Sequence, residues 1–399
     1  MTEKLHPAKN PDTPVFVRSC SDYDKERMTA AVADAMAALG ITRESLSGKR
    51  IAIKPNLVMK KPAEAAATVH PALADALLTF LDSCDTADVV IAESPGGAYT
   101  EAALRASYRT CGLEAAIAGH KVRLNYDVSS VTVSYPDGKQ CKQFEIITPI
   151  AEADVIFSLS KLKSHSLTRM SGAIKNTFGT IPGLTKFEYH ARFRDYTEFN
   201  AMLVDLSLWL HTKGKMMVDL QDAVIGMEGN GPTGGKPRKI GAFLCSENPF
   251  CLDRVAEAII GCPGEVPMVE DACTRGLCPK TADEVTVLGD DWRTLVIPDF
   301  AAPDSAYGIK NAFLFQGAFP RLFEPRPVIR KKTCVGCGEC ERSCPVHTIT
   351  LKECSDGKRR AEIHRENCIR CFCCQELCPI HSVDIHKNPF LSLLASFRH

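Results

Sequence analysis

The residues with the plainest chemistry are eight cysteines in two copies of one spacing. Cys334, Cys337, Cys340 and Cys344, followed by Pro345, read CxxCxxCxxxCP, and Cys368, Cys371, Cys374 and Cys378, followed by Pro379, repeat it. Two-residue gaps let three thiolates of one tight loop wrap a face of an iron–sulfur cube. The fourth, carried onto the next turn beside proline, serves the other cube. The spacing therefore predicts two 4Fe-4S clusters with interlocked ligand sets. Cys334, Cys337, Cys340 and Cys378 would hold one, and Cys368, Cys371, Cys374 and Cys344 the other. Zinc would ask for ligands in separate pairs, and buried structural cysteines have no reason to repeat at this spacing. Such clusters carry single electrons at potentials spread over about 1 V, set by burial and by hydrogen bonds to sulfur. Two in one small segment make a short wire, and a wire implies an acceptor at its end. Cys354 and Cys373 fall outside the pattern; Cys373, between two ligands, is expected to fill space or to hydrogen-bond a sulfide.

A second set of candidates is basic. The stretch 158–183, SLSKLKSHSLTRMSGAIKNTFGTIPG, follows a β-branched run and carries Lys161, Lys163, His165, Arg169 and Lys175. Open α/β sheets place their ligand crevices at such strand ends. Alternation sets Lys161, Lys163 and His165 on one side of an extended strand end, which a merely solvated basic loop would not require. Ser171, Gly172 and Gly179 allow close backbone approach to an anionic group such as a carboxylate or phosphate. Lys161, Lys163, His165 and Lys175 are thus the expected catalytic groups, with His165 or a lysine of lowered pKa donating protons. IAIKPN (51–56) and IAESPGG (91–97) end two more strands and offer Lys54, Asn56, Glu93 and Ser94 to the same crevice, with Asn176 from the GAIKN loop. The stretch 218–235 adds Asp219, Asp222, Glu228 and Asn230, carboxylates and an amide that would orient lysines, bind a divalent cation or move protons. Each strand end alone is an ordinary turn or cap; their convergence makes the case.

Gly229, Gly231 and Gly234 formally satisfy GxGxxG, but Gly235, Lys236 and Pro237 follow where a dinucleotide fingerprint would open a helix. A phosphate loop fails as well, because proline follows the lysine. No flavin or nicotinamide motif is visible, so electrons are expected from a redox protein donor such as ferredoxin.

These residues need a frame. From about residue 15 to 261, short β-branched runs alternate with longer amphipathic stretches, which predicts an α/β fold with a mostly parallel sheet and flanking helices. Strands are expected at 15–19, 50–54, 88–92, 122–126, 155–159 and 215–220, and helices at 25–39, 71–81 and 199–211. A small α+β two-cluster domain follows. The expected division is a polar arm (1–14), the α/β domain (15–300), an aromatic and proline-rich connector (301–329), the two-cluster domain (330–390) and a short tail (391–399). The remaining cysteines are scattered and mostly apolar in setting, so core packing is expected. Cys273 and Cys278, closer together, are candidates for a redox pair or third metal.

The 399-residue chain carries 48 basic and 48 acidic residues, so its overall charge favours neither nucleic acid nor an anionic membrane as main partner. No apolar run approaches the ~18 residues of a membrane span, and the polar start lacks a secretory core. With 19 cysteines in so large a chain, thiolate chemistry in a reducing cytoplasm is expected.

The motifs KPN (54–56), ESPGG, KLKSH (161–165), GAIKNTFG (172–179), MEGNGP (227–232) and LDRVAEAIIG (252–261) together resemble the iron–sulfur family called domain of unknown function 362. The resemblance covers about residues 15–300, and members often carry a C-terminal ferredoxin segment. It implies the fold and the iron, and it leaves the substrate open, since the family shares no one established reaction. The leading expectation is an oxidoreductase whose clusters deliver low-potential electrons to an anionic small molecule or cofactor held by the KLKSH and GAIKN loops. The rivals are a non-catalytic electron carrier or accessory subunit for another redox enzyme, and a cofactor-binding or maturation factor with structural clusters.

Overall fold

The computed structural model describes residues 5–212, 214, 216–303 and 325–386. The strands of the larger part are β1 (Val15–Ser19), β2 (Arg50–Pro55), β3 (Asp88–Ile91), β4 (Arg123–Leu124), β5 (Ser130–Ser134), β6 (Gln143–Ile147), β7 (Val155–His165), β8 (Arg169–Ser171), β9 (Met216–Glu228), β10 (Lys236–Ser246) and β11 (Val287–Gly289). Nine of them form one sheet in the order β11-β1-β10-β9-β7-β2-β3-β4, with β8 folded back on β7. Pairs β9/β7, β7/β2, β2/β3 and β3/β4 are parallel, while β1/β10 and β10/β9 are antiparallel. The class is α/β with a mostly parallel sheet, as the alternation of short and long runs predicts.

The central strand shows why. All eleven residues of β7 are buried, which happens where helices cover both faces of a sheet. Val155, Phe157 and Leu159 pack with Met28, Val32, Leu73 and Leu77 of helices Lys25–Ala38 and Pro71–Leu81. Ile156 and Leu162 belong to the opposite core, with Leu203 and Leu206 of helix Tyr196–Thr212 and Val255 and Ile259 of helix Pro249–Ile259. Caps fix where helices begin: the Asp24 side chain accepts from Arg27 N, and Pro71 sits in a first turn that needs no donor.

Two departures from the sequence reading affect the site. β7 runs on to His165 instead of stopping near 159, so KLKSH is strand. β9 runs to Glu228 and returns through β10, so the 229–235 glycines form a hairpin connection. The arm packs on the body from Pro7 onward: Ala8 is buried, and Asn248 Nδ2 donates to the carbonyls of Pro7 and Asn10. Cys273 and Cys278 are free thiols packed in the larger core. The aromatic connector falls mostly, and the tail entirely, outside the described residues.

The C-terminal part is a compact repeat. Strand β12 (Arg326–Ile329) pairs with β15 (Val383–His386), and β13 (Ile349–Glu353) with β14 (Arg359–Ile363), both antiparallel. Short helices Glu339–Arg342 and Cys373–Glu376 follow the second cysteine of each motif. Left-handed backbone recurs at matching places in the two halves, Gly336 and Arg370, Gly338 and Phe372, His347 and His381. Arg370 and Phe372 adopt, at φ of 56° and 61°, a conformation glycine takes more easily. The two loops thus share one backbone shape, with Gly336 and Gly338 in the first half matched by Arg370 and Phe372 in the second.

Candidate functional site

What the loops enclose is two cavities. Cys334, Cys337, Cys340 and Cys378 line one, and Cys344, Cys368, Cys371 and Cys374 line the other, the crossed grouping that the spacing predicts. Backbone N–H groups of Thr348 and Ser382 donate to the sulfurs of Cys344 and Cys378 at 3.3 and 3.1 Å. Sulfurs that bind a single ion converge on it, whereas those around a cube stand apart at its corners. Among the described residues no three His, Cys, Asp or Glu side chains converge in that way. The thiol sets ring voids, so they fit cubane clusters. Cys337 is exposed, placing the first cavity near the surface. The second cavity lies toward the α/β body.

The body meets it with a basic crevice. β2 ends in Lys54 and Asn56, the 93–97 loop follows β3, and β7 overshoots β2 beyond the Pro55–Leu159 pair. The overshoot carries Lys163 and His165 past the sheet's carboxyl edge. Helix Ala173–Asn176 brings Lys175 and Asn176, its first N–H groups held by Asp253, which accepts from Ala173 N and Ile174 N at 2.8 and 2.9 Å. Burial pushes the Asp253 carboxyl up to about 7 against those two hydrogen bonds. The resulting cavity, about 70 Å³, is bounded by Lys54, Lys163, Lys175 and Lys186, by Glu93 and Glu376, and by His165 and His190.

Most of these groups are tied to one another. Lys54 donates to Glu93 and, at 2.9 Å, to Asn176 Oδ1; burial raises the carboxyl and lowers the ammonium, and their contact opposes both shifts. A Cβ on Gly179 would come 2.5 Å from Lys54 Nζ and closer still to Glu93, so only glycine leaves room for the pair. Lys163 donates to Asn56 Oδ1 at 2.8 Å and to the Ala67 carbonyl. Lys186 donates to the Ser94 carbonyl and hydroxyl at 2.6 and 3.1 Å and to the Ile181 carbonyl. With only neutral acceptors, burial pushes Lys163 and Lys186 down to about 7. His190 is pushed by burial, and secondarily by Lys175, to about 3.

His165 accepts at Nδ1 from Leu167 N and Thr168 N, at 3.1 and 3.3 Å, which leaves its proton on Nε2. Burial, then Lys175 and Lys163, drives its pKa well down, so the ring is neutral. Lys175 extends over the Phe178 ring, 4.4 Å from its centroid.

The remaining expected residues lie elsewhere. Lys161 is not at the cavity: its ammonium donates to Asp222 at 2.7 Å and to the half-buried Tyr23 at 2.9 Å, with Lys161 and Asp222 fully buried, on the far side of a break in the β7/β9 register. Asp222 is thereby spent as well. Glu228 accepts from Ala301 N, and Asn230 accepts from Gln375 Nε2. Lys186, His190, Cys373 and Glu376 were not among the expected residues. TKFEYHAR, just past the glycine-rich stretch, carried a signal for the first two; nothing in the sequence signals which face of the cysteine repeat meets the body.

That face is the helix Cys373–Glu376. Cys373, Glu376 and the next residue, Leu377, form a wall of the basic cavity, while Cys374 of the same turn lines the second cysteine cavity. Thr233 Oγ1 donates to the Glu376 carbonyl at 2.8 Å, and Lys61 Nζ lies 2.7 Å from His381 Nε2. Gly96 lets Leu377 settle: a Cβ there would stand 2.9 Å from Leu377 Cδ2.

The fold and the two kinds of site define an α/β protein fused to a ferredoxin-type segment, and residues 333–382 match the model of a 4Fe-4S dicluster domain. Residues 51–258, more than half of the chain, match the model described as domain of unknown function (DUF362), and the chain belongs to that family. A thylakoid-associated protein of Synechocystis sp. is 35% identical over 157 residues, covering 38% of this chain and 47% of that one. The chain thus spans about half the length of the curated relative it matches. Among solved structures, a lactate racemase apoprotein from Thermoanaerobacterium thermosaccharolyticum is similar at 15% identity and a TM-score of 0.37, over 62% of this chain and 57% of that one. A Thermotoga maritima protein is similar at 11% identity and a TM-score of 0.34, over 69% and 62%. Among the described residues no helix is long and apolar enough to cross a membrane.

Proposed function

We propose that the chain is an iron–sulfur oxidoreductase that passes single electrons through two 4Fe-4S clusters to an anionic small molecule or cofactor bound in the α/β domain. One observation carries the reading: the turn Cys373–Glu376 belongs both to the second cysteine cavity and to the wall of the lysine crevice. When bound, the clusters supply single electrons. The chain's own residues do the rest. Lys54, Lys163 and Lys186, held by Glu93, Asn56, Asn176 and Ser94, line the crevice with amines that a bound anion keeps protonated; Lys175 and His165 face the ligand, with a proton at His165 Nε2. Leu377 and the dicluster helix form one wall of the crevice. The exposed side of the first cavity, at Cys337, suits a ferredoxin-type donor, and the free thiols suit the cytoplasm.

Anaerobic purification, iron and sulfide counts, and electron paramagnetic resonance during reductive titration test the reading. About eight irons per chain and two interacting reducible clusters are expected. About four irons or fewer, or clusters that no donor reduces, would point instead to a structural or maturation role.

A further inference from the structure

We infer that the crevice is a seat for a small oxyanion of about five non-hydrogen atoms at most, a simple carboxylate or a tetrahedral oxyanion, gripped between the Lys175 ammonium and the His165 Nε2–H against the dicluster helix. This rests on the reading above and narrows it, because a nucleotide or flavin does not fit.

Size comes first. A cavity of about 70 Å³ has room for about five waters, each needing roughly 10–15 Å³ of such space. Charge comes second. Four lysines bound the cavity against two carboxylates, and Glu93 is taken by Lys54. Among the described residues Lys163, Lys175 and Lys186 have no carboxylate within ion-pair distance. Glu376 is the one carboxylate left to balance them, and it opposes an incoming anion only in part.

Unspent hydrogen-bonding capacity comes third and selects the residues. Lys54, Lys163 and Lys186 already donate to fixed acceptors. His165 is 4% exposed and bounds the cavity, yet its Nε2 is buried without a hydrogen-bond partner. A buried donor left unmade costs free energy until something accepts from it. Among the described residues Lys175 makes no hydrogen bond, only the contact with the Phe178 ring. An oxyanion with two or more oxygens satisfies both groups at once, which a neutral apolar molecule does not.

Isothermal calorimetry on the anaerobic, cluster-loaded protein at pH 7 and low salt, with acetate, inorganic phosphate and citrate, tests this. One saturable site per chain is expected for acetate or phosphate and none for citrate. Lys175→Gln should weaken binding about tenfold or more, and His165→Phe by a similar factor. Lys175→Arg, which keeps the charge, should retain binding, and Lys139→Gln on the exposed surface should leave it unchanged. Absence of a saturable site for both small anions, tight citrate binding, or undiminished binding in a Lys175→Gln protein of full iron content would overturn the inference. If phosphate binds but the spectrum of the reduced protein does not change on binding, the seat stands and the electron-delivery reading fails. Reversible cluster reduction without any anion binding sinks the seat alone.

Discussion

His165 Nε2 stands 4.0 Å from the Oε2 of Glu376, across the seam between the sheet and the dicluster segment. The distance is too long for a hydrogen bond and short enough for one small group to bridge. Because Nδ1 accepts from two backbone N–H groups, the ring presents a proton to that seam. Glu376→Gln keeps the shape of the wall and removes the negative charge nearest to Lys175 and His165. Affinity for phosphate should then rise about tenfold by loss of repulsion at close range, with iron content unchanged. Calorimetry reads it directly, and a fall in affinity would mean that Glu376 helps to hold the ligand.

The seam depends on Gly96. Leu377 packs where a side chain at 96 would stand, 2.9 Å from its Cδ2, so Gly96→Val overpacks the contact at a cost of about 1–3 kcal/mol. The cysteine cavities are built within the C-terminal segment and should keep their iron. The expected outcome is faster amide exchange at residues 373–377 with an unchanged iron count. Simultaneous loss of iron would show that the segment cannot hold its clusters unless it is docked.

Legibility in the sequence followed how local each feature is. The eight cysteines and their crossed grouping are encoded in spacing, and β1 and the helix Pro71–Leu81 begin and end where caps and periodicity put them. Alternation placed Lys161 with Lys163 and His165, but it could not see that Asp222 and Tyr23 would consume Lys161. The extension of β7 was hidden because lysines read as a strand's end, whereas here each ammonium finds acceptors inside the fold. Lys186 is harder still: its burial depends on the Ser94 and Ile181 carbonyls meeting beyond a turn. The seam with Cys373 and Glu376 is a docking relation between distant segments, and no local pattern records it.

The crossed thiol sets predict unequal effects of neighbouring cysteines. Cys378→Ala removes a thiol from the cavity formed with Cys334, Cys337 and Cys340, although it sits within the other half of the repeat. Iron should fall by at least half, from about eight per chain, and the spin interaction between reduced clusters should vanish. Cys373→Ala and Cys354→Ser should keep the full count, since neither residue lines a cysteine cavity. Iron and sulfide analysis with paramagnetic resonance separates these outcomes, and full iron in Cys378→Ala would refute the grouping.

Lys163 and Lys186 make the α/β body more stable in alkali. Burial lowers each from 10.5 to about 7 in the folded chain, so between those values the unfolded chain binds more protons than the folded one. Stability therefore rises with pH from 7 toward 10 and is lost as pH falls through 7, with a slope of at most about 1.4 kcal/mol per pH unit for each lysine. Trp209 and Trp292, both buried in the body, report its unfolding by fluorescence. Urea midpoints should increase from pH 7 to pH 9, and Lys163→Met should flatten the increase by removing one of the titrating amines. Saturating phosphate at pH 7 should do the same for the opposite reason, because a bound anion favours the charged ammonium and draws the folded pKa back toward 10.5. A midpoint that is flat or falling over this range in the unliganded protein would mean that both ammoniums stay charged in the fold and that another group neutralises them.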